Sequence, residues 1–303
     1  MGPVISLVNS RVGPSLGILL ARVLPRDLAS SFADWLAGLA ASGVDTPVVR
    51  AIRANQAVVR GVPYDHPGLQ KAAAEVLQYA ARGYLAFYRA LARGRLEFRE
   101  ACKLDPALES QLHEAGDDGR GVVFATAHMG NFDLAFHTLM VRGLSPLVLS
   151  YRVARGSYKA DNAIRRRYGL EAKPISVASL REAIERLRSG GRVLTGVDRP
   201  DEHGKTLTFF GRPAKLPIGH ARLAMKTGSL LQPGVALDDG EGGYRLVGPP
   251  ALEPPEGVDE EEGALWLSQR VLETLEAYIR THPAQWLMFF PVWPEVMPGS
   301  AGA

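Results

Sequence analysis

From about residue 121 onward the chain alternates short apolar runs with helical patterns. The runs are "GVVFATA", "PLVLS", "KPISV", "RVLTGVD", "LLQPGVAL" and "YRLVG". Helical spacing lies between them near 132–142, 155–168, 179–189 and 217–228, and a last helix is expected near 259–282. Continuous apolar runs of this length are strands buried on both faces, and their alternation with helices predicts a mostly parallel sheet with helices on both sides. The fold class is therefore α/β. Residues 14 to 115 instead read as helical and alanine-rich, as in "LQKAAAEVLQYAARGYLAFYRALARG". The expected division is an N-terminal helical region, 1–115, and an α/β core, 116–303, integrated as one domain. The run "DEEE" reads as the acidic first turn of the last helix.

Composition excludes several classes. A chain of 303 residues with 46% hydrophobic content can bury a large core, and its single cysteine, Cys102, leaves neither a disulfide framework nor a cysteine zinc site. The formal charge of +3 is too small to argue for nucleic acid, while a pI near 9.0 suits an anionic surface or substrate. The apolar stretch "VGPSLGILLARVL" is interrupted by Arg22 and falls short of the roughly 20 residues a span requires. Residues 14–42 read as two amphipathic helices split near Pro25, fit either to lie on a membrane surface or to pack on the domain. The expected location is the cytoplasm, peripheral on the inner face of the cell membrane.

The stretch "VVFATAHMGNFDLAF" carries the chemistry. Residues five apart on a helix sit about 140° from each other, so His128 and Asp133 share no helical face. They can meet if His128 ends the strand and Asp133 lies in the first turn of the helix that follows. Asp133 then accepts a hydrogen bond from one imidazole nitrogen and leaves the other as a base. The carboxyl end of such a strand is where open α/β sheets bind ligands. No serine stands beside this pair, so the nucleophile can be the substrate's own hydroxyl. A base that deprotonates an alcohol for attack on a thioester is an acyltransferase. Two other classes stay open. His128, Asp133 and His137 could serve a metal-dependent hydrolase, since His137 lies four residues after Asp133. A non-catalytic lipid-binding protein would explain a basic groove without explaining the base–acid pair.

The segment "AHMGNFDLA" resembles the H-x4-D/E motif of glycerolipid acyltransferases, in the form found in bacterial lipid A late acyltransferases and phosphatidylinositol mannoside acyltransferases. A second block resembles the same family through Asp198, Phe209, Phe210, Gly211, Pro213, Ala214, Gly219, Leu223, Ala224, Thr227 and Gly228. "NAIRRRYGL" resembles its Arg-then-Gly segment and "THPAQWLMFFPVW" its closing segment, so the resemblance spans roughly residues 60–293. It implies a fatty acyl chain moved from acyl-CoA or acyl carrier protein to a hydroxyl of a lysophospholipid or glycolipid, without a metal or further cofactor. It also implies that Asp198 is close to the catalytic histidine, orienting the acceptor or assisting the base; a turn-forming Asp before Pro200 is the plainer reading. Of the arginines 165–167, one should face the site, and Arg166 is taken as that one. With Arg152 it would cradle phosphate groups. Asn131, or the backbone N–H groups of Met129–Asn131, would stabilise an oxyanion. Phe209 and Phe210 would wall an acyl groove or simply pack the core.

Overall fold

In a computed structural model of the chain, residues 46–151 and 163–299 are described throughout, together with scattered helical positions between 18 and 41. The two expected amphipathic helices fall largely outside the described residues, as do Arg152, Arg155 and Lys159.

Seven strands form one sheet, in the spatial order β1-β9-β8-β2-β5-β3-β4. These are β1 (Cys102–Leu104), β2 (Val122–Thr126), β3 (Leu147–Ser150), β4 (Ala172–Pro174), β5 (Arg192–Gly196), β8 (Leu230–Asp238) and β9 (Tyr244–Val247). All neighbours run parallel except β8 and β9. The expected α/β fold is therefore present. The helices are α1 (Pro47–Arg60), α2 (Gly68–Arg93), α3 (Arg95–Ala101), α4 (Pro106–Asp117), α5 (Phe132–Val141), α6 (Val177–Arg188), α7 (Gly219–Thr227) and α8 (Glu260–Thr281).

The strands are buried on both faces because each face meets its own apolar layer. Along β2, Val123 and Ala125 join one core with Val193 of β5, Ala183 of α6, Ala224 of α7 and Val271 of α8. Val122 and Phe124 point the other way, into a second core with Leu194, Phe87 of α2, Leu108 of α4 and Leu139 of α5. Period-two alternation thus feeds two hydrophobic layers, which is why the strands read as uninterrupted apolar runs.

Two elements escaped the sequence reading. Strand β1 lies inside the helical stretch and pairs with β9 through three residues, Cys102↔Tyr244 to Leu104↔Leu246. Burial pushes the Cys102 thiol up to about 12, so it is an inert core residue. The second is a separate antiparallel hairpin, β6 (Lys205–Phe209) and β7 (Arg212–Leu216). Its two-residue turn puts Phe210 at φ 53° and Gly211 at φ 70°, the positive pair a tight hairpin turn needs. A phenylalanine there is unusual. Its backbone N–H donates to Glu276 Oε1 on α8, and its ring stacks on Trp286, so packing holds the conformation.

Buried imidazoles give the fold a pH dependence. His220 on α7 is 3% exposed, neither ring nitrogen meets a hydrogen-bond partner among the described residues, and burial lowers its pKa to about 3. His137 on α5 is also shifted down by burial. The unfolded ring of His220 takes up its proton below about pH 6.5, where the folded ring stays neutral until about pH 3. The unfolded state then binds more protons, so stability falls as pH drops from 6.5 towards 3, by up to about 1.4 kcal/mol per unit for this ring, and His137 contributes in the same direction. Urea unfolding between pH 7 and 4.5 should show this slope, and His220→Leu should flatten it. An unchanged slope in that variant would contradict the assignment.

Candidate active site

Register builds the site. Strands β2 and β5 lie side by side and parallel, with Thr126 opposite Gly196. Two residues beyond each strand end stand His128 and Asp198, held alongside by the bond from Val197 N–H to Thr126 O. His128 Nδ1 is 2.7 Å from Asp198 Oδ1. The backbone N–H of His128 donates to Oδ2 of the same carboxylate at 2.9 Å, and Trp286 Nε1–H donates to that oxygen at 2.8 Å. Asp198 is fully buried. Burial by itself would raise its pKa, but the charge of His128 and the hydrogen bonds from His128 and Trp286 outweigh that and hold it below the usual carboxylate range. An ionised carboxylate on Nδ1 fixes the proton there and leaves Nε2 with its lone pair. The imidazole side chain is 27% exposed.

The chain packs tightly around this pair. Gly130 has φ 57°, and a Cβ there would meet Ala236 O at 1.9 Å, so only glycine lets the chain turn from His128 into α5 beside β8. The segment 285–293 runs along the other side. Gly130 N–H donates to Gln285 O, and Leu287 N–H donates to His128 O. Asn55 of α1 anchors that segment, donating to Met288 O and Phe290 O and accepting from Val292 N–H. Trp286 itself sits among Phe209, Phe210 and Trp293. Gly196 crowds the ring from below, since a Cβ there would lie 2.9 Å from His128 Cε1. Gly196→Ala should therefore tilt the imidazole and lower turnover about 10- to 100-fold with little loss of stability, because catalysis is that sensitive to small displacements. Initial rates and a thermal melt would check it; wild-type turnover would mean the ring has room to spare.

Several expected placements are corrected. Asp133 is not on the imidazole. Its Oδ1 and Oδ2 accept from Arg165 Nε at 2.6 Å and Nη2 at 3.0 Å, in a nearly buried pair. The sequence reading assumed that a partner close in the chain is close in space, whereas the partner comes from the adjacent strand. Arg165, rather than Arg166, is the inward member of the trio; Arg166 donates to Ala172 O. Asn131 is engaged in holding α5 and α2. Its Oδ1 caps α5 by accepting from Leu134 N–H, and its Nδ2 donates to Gly83 O on α2. The N–H groups of Met129 and Gly130 are taken by Ala127 O and Gln285 O. Phe209 and Phe210 are buried behind the site, where they hold Trp286 instead of walling an open groove. His137 donates from Nδ1 to the backbone oxygen of Asp133, stacks on Phe98 and packs against a tilted Phe87. Among the described residues no three His, Cys, Asp or Glu converge as metal ligands. Sequence reasoning assigned no role to Trp286 or Asn55, and within the arginine trio it took Arg166 in place of Arg165. Trp286 was visible only as part of the "PAQW" segment.

Comparison with known proteins gives the same direction. The family model described as bacterial lipid A biosynthesis acyltransferase matches residues 13–295. The chain is 28% identical over 295 residues to the phosphatidylinositol mannoside acyltransferase of Mycolicibacterium smegmatis, covering 93% of this chain and 90% of that protein. It is 30% identical over 181 residues to the proteins of the same name from two strains of Mycobacterium tuberculosis, covering 58% of this chain and 55% of theirs. The chain thus spans about half the length of these last relatives. With a match that covers nearly all of its length, the chain belongs to the bacterial lipid A biosynthesis acyltransferase family.

Proposed function

We propose that the protein moves a fatty acyl chain from acyl-CoA or acyl carrier protein to a hydroxyl of a lipid acceptor, with His128 as general base. The single observation that carries this is the Asp198 carboxylate on His128 Nδ1, buried and held by three donors, with Nε2 left for a substrate. Nε2 takes the proton of the acceptor hydroxyl as its oxygen attacks the thioester carbonyl. The tetrahedral intermediate then collapses, the C–S bond breaks, and the imidazolium returns the proton to the leaving thiolate. Transfer is direct, because no protein nucleophile is required. The reaction needs no metal or further cofactor. The acceptor is a glycolipid or lysophospholipid. The names of the relatives favour a glycolipid bearing sugar hydroxyls.

The test is a mass-spectrometric transfer assay with mixed acyl-CoAs, acyl carrier protein thioesters and a panel of lysophospholipids and glycolipids, with His128→Ala alongside. A new acyl ester from the wild type alone carries the proposal. An equal yield from His128→Ala, or loss of the product with chelator, would overturn the mechanism.

The reading also places the protein peripherally on the inner face of the cell membrane. Among the described residues no helix is long and apolar enough to cross a membrane. Val23, Leu28, Trp35 and Leu39 nevertheless expose 48–70% of their area, which supports a surface apposed to lipid. Replacing these four by serine should reduce flotation with anionic vesicles and spare turnover of a soluble acceptor. Unchanged flotation would return the segment to ordinary packing.

A further inference from the structure

We propose that Asn55 and Gln56, neighbours on α1, are positioning residues for the reaction: they seat the segment 283–292, and that segment keeps Asp198 on His128. The inference rests on the reading of His128 as the base. Residues 287–293 belong to no helix and no strand, so Met288 O, Phe290 O and Val292 N–H have no ladder to join. One side chain takes all three. Asn55 Nδ2 donates to Met288 O at 3.1 Å and to Phe290 O at 2.8 Å, and Oδ1 accepts from Val292 N–H at 2.9 Å. Asn55 is 1% exposed, and an amide is kept at such depth only when its bonds are met. Gln56 works at the other end of the segment. Its Nε2 donates to Pro283 O at 2.8 Å, while its Oε1 accepts from Arg60 Nε at 2.9 Å. Pro283 O also accepts from Trp286 N–H, closing the turn that delivers the indole. Side chains seat the segment as well. Leu287 and Phe289 pack against Val49 and Ile52 of α1, and Met288 and Val292 enter the core behind the sheet.

From this seat the segment reaches both members of the pair. Trp286 Nε1–H donates to Asp198 Oδ2 at 2.8 Å, and Leu287 N–H donates to His128 O at 2.7 Å. Gln285 O takes Gly130 N–H at 2.8 Å, and Met129 and Trp286 form an antiparallel bridge. The segment is thus a strap, tied to α1 along one edge and to the catalytic turn along the other. Without the α1 amides, the strap is tied on the catalytic side alone, and buried carbonyls must open towards water. The indole then leaves Oδ2 for part of the time, and the Asp198 carboxylate can rotate on Nδ1. Reacting groups tolerate little such freedom, since a misplacement of about 1 Å costs on the order of 10²-fold in rate. The two amides therefore act on turnover through Trp286, from a helix outside the sheet that carries the pair.

Two readouts on the full chain test this. The first is hydrogen exchange of the Trp286 indole N–H, followed by NMR and compared with the Val123 and Ala125 amides of β2 in the same protein. Asn55→Ala should speed the indole about tenfold or more relative to those amides, the mark of local rather than global opening. The second is kinetic. Asn55→Ala should lower kcat about 10- to 100-fold and leave KM within about threefold. Leu108→Ala, a core truncation in the other apolar layer, should lower the melting temperature and leave the exchange ratio and kcat at wild-type values. Combined with Trp286→Phe, Asn55→Ala should cost less in kcat than the product of the two single losses, because both act on the same Oδ2 bond. An unchanged exchange ratio in Asn55→Ala, a kcat loss shared by Leu108→Ala, or losses that multiply would overturn the proposal. Should Asn55→Ala fail to fold, Gln56→Met keeps the shape without the amide and should raise the same ratio severalfold; an unchanged ratio there would also overturn it. Exchange is read without turnover, so the two readings fail separately. A raised ratio in a protein that makes no ester keeps the seat of Trp286 and refutes acyl transfer. An ester-forming wild type with an unchanged ratio in the variants does the reverse.

Discussion

Asp198→Asn is expected to lower turnover about 10³- to 10⁴-fold, close to the loss in His128→Ala, while the protein stays folded. The hydrogen bonds dictate the effect. Oδ2 accepts from two N–H groups, those of the His128 backbone and Trp286, neither of which can turn into an acceptor. An asparagine must therefore put its carbonyl oxygen there and its NH₂ towards Nδ1. The imidazole then has to accept at Nδ1 and carry its proton on Nε2, where the acceptor hydroxyl needs a lone pair. Geometry survives and the base is lost through its tautomer. The measurement is steady-state turnover beside a thermal melt. Turnover within tenfold of wild type would remove Asp198 from the mechanism. Trp286→Phe frees one lone-pair site on Oδ2 while keeping the aromatic packing, so its loss should be far smaller.

That pairing shows where the sequence is legible and where it is not. Strands β2, β3, β5, β8 and β9 stand where the apolar runs lie, since a strand buried on both faces needs an unbroken run and little else imitates one at that length. His128 was found for the same reason, as the point where such a run stops. Its partner was not. Asp133 is five positions from His128, whereas Asp198 is 70 positions away and Trp286 is 88 beyond that. Only the register of β2 on β5 brings Asp198 to the histidine, and register is a property of two strands together. The inward arginine was missed by one residue, because a run of three arginines does not reveal helical phase. Strand β1 was invisible because three residues amid helices carry no period. The hairpin β6–β7 alternates properly, exposing Thr206 and Thr208 and burying Leu207 and Phe209, but its residues entered only as part of a motif block. Asn131 and the two phenylalanines were assigned by type; their bonds and burial are set by α2 and by residues 286–293, which meet them only in space.

The carboxylate taken from the motif has a different duty, and a second experiment separates the two acids. Asp133 lies in the first turn of α5 and Arg165 belongs to the helical turn at 163–167, so their bidentate pair ties the helix after His128 to the segment between β3 and β4. The side chains are 10% and 11% exposed, so little water screens them. Asp133→Ala takes away the carboxylate that Arg165 grips with two nitrogens, and Arg165→Ala takes that guanidinium from the carboxylate. Either should lower the unfolding free energy by about 3–5 kcal/mol, the usual cost of breaking a buried pair by removing one partner. The double variant should lose less than the two single losses added together, with a coupling above about 1 kcal/mol. Chemical denaturation of the four proteins measures this directly. Activity should fall in step with stability in these variants, and the pH profile of the remaining turnover should keep its wild-type shape, because His128 keeps Asp198. In Asp198→Asn the order reverses, with stability nearly intact and turnover gone. Additive losses at Asp133 and Arg165, or a pH profile displaced by Asp133→Ala, would return Asp133 to the base. Near-additivity is the less expected result, since Arg165 reaches both oxygens of a carboxylate from which His128 takes nothing.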